Sequence, residues 1–215
     1  MGAKEKYPFQ NAPLPYAYDA LEPYIDEKTM RVHHDLYLQA YTDRLNDVLK
    51  NCKPLQNMDL EQLIFAANRL PKTVGISILR NAEGIFNHRF YFLGMCPSPQ
   101  EEPSGDLKKA ICKRFGSYGD FQKAFRAAAI AVYGSGYVWL GCGPNRSLEI
   151  FTTANQQTPF LQHFCPILNV DMWEHAYFLK HIQMRGEYVD DWFHVVDWKE
   201  AESRYLCIQK GGLYR

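Results

Sequence analysis

Between Asn169 and Lys180 the chain reads NVDMWEHAYFLK, which sets Asp171, Glu174 and His175 into an otherwise mostly apolar stretch. The residues before it, CPILNV, have the texture of a short buried strand, and those after it, AYFLKHI, that of a helix. Burying three ionisable groups costs several kcal/mol each unless something neutralises them. The fold must therefore bring a metal, a partner chain or mutual pairing to this stretch.

The rest of the composition narrows the choice. Of 215 residues, 47% are apolar and 14% aromatic, which suits a folded chain that buries a sizeable core. Lys and Arg number 24 against 24 Asp and Glu, so no long-range field favours nucleic acid or a membrane surface. Cys52, Cys96, Cys112, Cys142, Cys165 and Cys207 form no C-x-x-C pair, and their wide spacings argue against zinc knuckles, iron–sulfur ligation or a disulfide framework. They read as small thiols of a reduced compartment. The N-terminal MGAKEKYPFQ lacks the apolar core of a signal peptide, and Lys6 breaks the myristoylation pattern. The uncharged run 127–143 carries Gly134, Ser135 and Gly136, which suits a membrane span poorly. A soluble, cytoplasmic protein is expected, with neither nucleic acid nor membrane as partner.

Helical periodicity begins at Asp26, a plausible N-cap, with apolar residues at 32, 36, 40, 45, 48 and 49. A shorter helix, MDLEQLIFAANRLP, stops near Pro71, and a longer one fills TVGISILRNAEGIFNHRFYFLGM. The first ~95 residues read as all-helical, with two long helices able to pair as a hairpin. CPSPQEEPSGD, at 96–106, marks the boundary between an expected helical hairpin domain at 1–98 and a second domain at 99–215. After two more helices the texture turns to strand at YVWLGCG, SLEIFTTAN and PILNV, with a GPNR turn between the first two. One helix after 173 and a last helical stretch from Tyr188 are expected to close the chain. Helices followed by a small helix-flanked antiparallel sheet make the fold class α+β.

Three of the seven histidines have similar surroundings: His33 on the first long helix, His88 on the second and His175 after the third strand. Asp171 precedes His175 by four residues, so the two share a face or flank a strand–helix corner. Three neutral imidazoles and a carboxylate suit Mn, Fe, Cu or Zn better than Mg or Ca. A histidine on an apolar face is also commonly a hydrogen-bonded core residue, the reading given to His163, His181 and His194. Spacing alone leaves both readings open for the other three.

ALEPYIDEKTMRVHHDLYLQAY, NAEGIFNH, GSGYVWL, TTANQQTPF and DMWEHAYFLKH occur in that order, and together they resemble the iron/manganese superoxide dismutases from about Leu14 to Trp198. The resemblance implies an N-terminal helical hairpin, then an α/β domain with a three-stranded antiparallel sheet. It implies one Mn ion per subunit, or Fe in its place, held by His33, His88, Asp171, His175 and a solvent molecule, with superoxide as substrate. Tyr41 would guard the entrance, Gln156 would hydrogen-bond the bound solvent, and His34 would belong to the surrounding shell, these three being the expected catalytic residues. Gly84, where iron-type members often carry a glutamine, would leave room for Gln156 and lean toward manganese. Trp139 and Trp173 would wall the site, with Tyr137 standing where Trp is usual. Tyr177 would belong to the interface or the surroundings, and Arg185 would sit near the funnel. Glu174 would reach across a two-fold axis to the partner's ligand histidine, giving a homodimer or a tetramer. Two positions depart from the family: Tyr37 stands where a gateway histidine or tyrosine is usual, and Phe178 where its tyrosine partner is usual. A full ligand set with an altered gateway implies a working but slower enzyme.

Three rivals fit less well. A two-histidine, one-carboxylate oxygenase needs more open positions than three histidines and Asp171 leave. A zinc-stabilised structural domain lacks short-spaced Cys and His pairs. A scaffold that had kept only the fold would be expected to lose a ligand, and none is missing.

Overall fold

The computed structural model describes residues 4–212, so Met1-Gly2 and the outermost ends of the two expected domains lie outside the described residues. Helix α1 runs continuously through Glu27–Arg31, Val32–Leu38 and Gln39–Lys50, and its middle part is a π-helix. Asp26 caps it by accepting from the Thr29 backbone N–H at 3.3 Å. Helix α2, Leu60–Ala67, starts with a capping box between Asp59 and Gln62. Helix α3, Lys72–Phe92, packs along α1, and the contacts fix the two as antiparallel. Near one end of the pair His33 meets Phe92, and further along Tyr41 lies on Gly84.

The π turn changes which face of α1 is buried. An i→i+5 turn rotates every later residue relative to a 3.6-residue period. Leu36, which the periodicity assigns to the core, is 62% exposed, while Leu38 and Thr42 are buried. The expected positions Leu45 and Leu49 are fully buried beyond it.

Helices α4, Gly105–Phe115, and α5, Tyr118–Ala131, lead into strands β1, Gly136–Cys142, and β2, Leu148–Ala154. Strand β3, Cys165–Asp171, completes an antiparallel sheet of order β2-β1-β3. In that register Tyr137 faces Asp171 across the sheet and Trp139 faces Asn169. The chain after β3 differs from expectation. In place of one helix it forms a three-residue 3-10 turn, Glu174–Ala176, and the single turn α6, Phe178–His181. The last helical stretch is two helices, α7, Arg185–Phe193, and α8, Trp198–Gln209, because Asp197 caps a new start through the Lys199 and Glu200 N–H groups. His163 and His194 are exposed and not core residues: His163 sits in a left-handed turn, and His194 stacks on Tyr24. His181 is buried and bonded to Asp191 at 2.8 Å, as expected.

Side chains from both halves of the chain meet in one core. Phe90 of α3 lies against Trp139 of β1 and beneath the Arg204 guanidinium of α8. Backbone bonds Cys96 N–H to Val195 and Asp197 N–H to Gly94 close the halves on one another. All six cysteines are free thiols, and among the described residues no helix is long and apolar enough to cross a membrane.

One buried acid ties α3 to the connection after β2. Glu83, 4% exposed, accepts from the Thr158 N–H at 3.0 Å and the Thr158 hydroxyl at 3.3 Å. Burial pushes its carboxyl up from 4.5 to about 7, against those two hydrogen bonds. A folded-state pKa above the unfolded one means stability that is present below pH 4.5 and lost as pH rises through about 7. Glu83→Gln keeps an acceptor for Thr158 without the charge. It is expected to raise unfolding free energy at pH 8 by on the order of 2 kcal/mol, with little change at pH 4.5. Denaturant titrations of both proteins at the two pH values check this, and an equal effect at both would refute it.

Candidate metal centre

His33, His88, Asp171 and His175 each come from a different element: the π turn of α1, helix α3, the end of β3 and the 3-10 turn that follows. Their ligand atoms all lie within 4.8 Å of one another. Asp171 Oδ2 stands 3.2 Å from His33 Nε2, 3.4 Å from His175 Nε2 and 4.0 Å from His88 Nε2. Yet neither Asp171 Oδ2 nor either nitrogen of His33 makes a hydrogen bond among the described residues. Four groups able to offer a lone pair converge on one point, and the only hydrogen-bond contact described among them is the 3.4 Å approach of His88 Nε2 and His175 Nε2, a cluster that could hold one ion. The side chains of His33, His88 and Asp171 are at most 1% exposed and that of His175 is 4% exposed.

Electrostatics points the same way. Burial lowers His33 to about 4, with His175 adding to the effect and Asp171 opposing it. Burial lowers His88 to about 3, helped by His33. Both imidazoles are neutral at pH 7 and keep a lone pair for ligation. Burial acts to raise Asp171, but His175 and His33 outweigh it and hold the carboxyl well below the usual carboxylate range. An ionised carboxylate beside the neutral His33 and His88 rings is a buried negative charge that a bound cation would balance. Three imidazole nitrogens and one carboxylate oxygen fit manganese or iron.

The neighbours of this cluster separate into those that reach it and those that do not. Gln156 is 6% exposed, and its Oε1 accepts from the Tyr137 hydroxyl at 3.1 Å and from Asn87 Nδ2 at 3.2 Å. With its oxygen so fixed, its Nε2 is left as a buried donor without a hydrogen-bond partner. Asn87 also donates to the Gln156 carbonyl, and Asn169 donates to the Asn87 carbonyl. Asn87 was not anticipated from the sequence, although its place directly before His88 was the available signal.

Tyr41 lies beside His88, ring centroids 5.3 Å apart, with its phenol facing Gln156. Burial raises that phenol above its ordinary value, so it holds its proton at neutral pH. The room left at Gly84 is filled by Tyr41, because a Cβ there would stand 2.6 Å from the Tyr41 ring. Gly84 also accepts from His88 Nδ1 at 2.6 Å, which fixes the His88 tautomer with Nε2 as the ligand atom.

Tyr137 and Trp173 approach the ligands, at 6.4 Å from His88 and 5.5 Å from His175 respectively. Trp139 is corrected to a layer behind Tyr137: its indole N–H bonds Thr153 and its ring packs on Phe90 and Tyr137. His34 is corrected as well. Its Nδ1 is engaged by Asp35 and Tyr18 and its Nε2 by the Ala12 carbonyl, so it anchors the N-terminal segment and offers no free nitrogen to the cluster. Arg185 bonds the Val132 carbonyl at 2.8 Å and lies near Tyr177. Tyr177 is buried against Tyr188, and Tyr188 shares a 3.0 Å hydroxyl contact with Tyr91, whose ring lies beside His33. Glu174, Tyr37 and Phe178 are exposed on this single chain.

Comparison with known proteins agrees with this geometry. The family model described as the alpha-hairpin domain of iron/manganese superoxide dismutases matches residues 8–96, and the one for their C-terminal domain matches residues 103–204. A protein named superoxide dismutase [Mn] from Pseudomonas aeruginosa is 39% identical over 193 residues, covering 90% of this chain and 95% of its own. The one from Thermus aquaticus is 37% identical over 199 residues, 93% of this chain and 98% of its own. Superoxide dismutase [Mn] 3 of Leptolyngbya boryana is 39% identical over 203 residues, 94% and 85% of the two chains. With its four ligand residues converging on one buried point and both family models matched in order, this chain belongs to the iron/manganese superoxide dismutases.

Proposed function

We propose that this chain disproportionates superoxide, 2 superoxide + 2 protons giving dioxygen and hydrogen peroxide, with one manganese ion per subunit and iron as the alternative. The observation that carries the reading is the convergence of His33, His88, Asp171 and His175 within 4.8 Å around a buried carboxylate. A bound manganese or iron ion would supply the alternating one-electron acceptor and donor. The chain's own residues would do the rest. Asp171 lowers the potential of the ion it holds by its charge, and Gln156 presents the Nε2 donor toward the cavity. Tyr41 keeps a protonated phenol next to that donor, a source of protons at the side where a small anion enters. The relatives named superoxide dismutase [Mn] favour manganese, whereas Gly84 does not bear on the choice because Tyr41, not Gln156, fills the room beside it.

The same reading extends to assembly. Glu174 is exposed beside His175, and Tyr37 lies exposed on the His175 ring. Phe178, Leu179 and Ile182, all 42–53% exposed like Tyr37, follow Glu174 within eight residues, a surface we read as one apolar patch. A second copy seated there as a homodimer would cover that patch and bring Glu174 to the partner's ligand histidine. The chain is read as cytoplasmic, in keeping with its free thiols.

The primary test is elemental mass spectrometry of the purified protein together with a superoxide-removal assay on the same sample. About one Mn or Fe per chain with metal-dependent activity supports the proposal. Zinc, or full occupancy without activity, refutes it. Gln156→Leu is expected to cut turnover by about 10- to 100-fold with metal content retained, and unchanged turnover would remove Gln156 from the mechanism. Glu174→Ala is expected to shift sedimentation from dimer to monomer and to loosen metal retention; a wild-type chain that sediments as a monomer refutes the two-fold reading.

A pH dependence follows from the buried imidazoles. His33 and His88 titrate at about 4 and about 3 in the folded chain against 6.5 ordinarily, so between those values the unfolded chain binds more protons. Their contribution to stability is present above pH 6.5 and is lost as pH falls through about 4. In chelator-treated protein carrying Glu83→Gln, which removes the opposing contribution, unfolding free energy is expected to fall steadily from pH 7 to pH 4. A flat profile in denaturant titrations would contradict buried neutral ligands.

A further inference from the structure

The three imidazoles of the cluster are held in their planes by different means. His88 is oriented by its hydrogen bond from Nδ1 to the Gly84 carbonyl. His33 has no such bond and is packed between the rings of Tyr91, at 5.4 Å, and Phe92, at 4.9 Å. His175 stands on a 3-10 turn of only three residues, a local structure with little rigidity of its own. Its Nε2 faces Asp171 and His88, each at 3.4 Å. Its ring lies face to face with Tyr37, centroids 4.1 Å apart and planes at 26°, closer than any other ring contact described for the three histidines.

Tyr37 is an unusual source for such a contact. It is 42% exposed, so core burial does not account for its ring lying there. It comes from the same π turn as His33, one turn further on, and thus links a ligand from the helical half to a ligand from the sheet half. The phenol facing Gln156 is that of Tyr41, which leaves the face of Tyr37, not its hydroxyl, as the part that meets the cluster.

We infer that Tyr37 is a positioning residue for His175: its ring face fixes the imidazole plane and keeps Nε2 aimed at the ion. The inference rests on the proposed metal centre and assigns this chain's departure at position 37 a structural task within it. An offset aromatic stack at this distance gives geometric preference as well as contact area, which is what a ligand on a short turn needs. Leu, with no ring face, would remove the closest stack on His175 and leave the more distant Trp173, at 5.5 Å, whereas Phe would retain the close stack.

The test uses the full chain as wild type, Tyr37→Phe and Tyr37→Leu, each loaded with Mn(II) alone. Affinity is read by competition with a chelator, site symmetry by the Mn(II) electron paramagnetic resonance line shape, and folding by near-ultraviolet circular dichroism. Tyr37→Phe is expected to match wild type in all three. Tyr37→Leu is expected to bind Mn(II) about 10-fold more weakly or worse, with a broadened line shape and native dichroism. Unchanged affinity and line shape in Tyr37→Leu would overturn the inference, and so would a Tyr37→Phe protein that loses as much as Tyr37→Leu. A wild type that binds Mn(II) with these signatures yet removes no superoxide refutes the proposed activity and leaves the positioning role standing. A wild type that binds no Mn(II) is tested with Fe(II) in its place, and one that binds neither overturns both.

Discussion

The ionised carboxylate of Asp171 sits fully buried, and among the described residues no lysine or arginine pairs with it. Burial keeps the imidazoles of His33 and His88 beside it neutral, so neither supplies a positive charge to balance it. The placement of the elements is organised around that point. The π turn of α1 supplies His33, α3 supplies His88, and the last residue of β3 delivers Asp171 with His175 four residues on, past the corner. Removing a partner from a buried charge costs several kcal/mol, which binds the stability of both halves to the occupancy of one site.

Around that centre the chain builds order in layers. Gly84 shows the economy of the arrangement: lacking a Cβ it admits the Tyr41 ring, while its carbonyl orients His88. Gln156 is held by Tyr137 and Asn87, so its amide nitrogen remains the buried donor of the cavity. Glu83 then fixes Thr158, two residues beyond Gln156, to α3. An error of one residue in the connection after β2 would displace both anchors together.

Much of this was legible before any coordinates. The hairpin, the three strands and the four converging residues follow from periodicity, from the charged residues of an apolar stretch, and from five ordered motifs. Other features were hidden for physical reasons. A period of 3.6 places Leu36 inside, and only the π turn turns it out and brings Leu38 and Thr42 in. His33 and His34 are adjacent and chemically identical, yet the helix sends one to the ligand cluster and the other to Asp35, Tyr18 and Ala12. Trp139 and Tyr137 share one face of β1, two residues apart, and only the packing of α3 decides that Tyr137 meets the histidines.

The sequence by itself set Asp171, Glu174 and His175 in an apolar stretch as groups needing compensation. The side chains of Asp171 and His175 are indeed buried, whereas Glu174 is exposed on the single chain. Through its family motifs the sequence named His33 and His88 as ligands. It also determined their family pattern and the elements that carry them. Tertiary structure alone decided which nitrogens converge, which phenol faces Gln156, and that Tyr37 lies flat on His175. Those outcomes depend on side-chain directions summed over segments far apart in the chain, and a shift of a few ångströms in any one of them would change every contact.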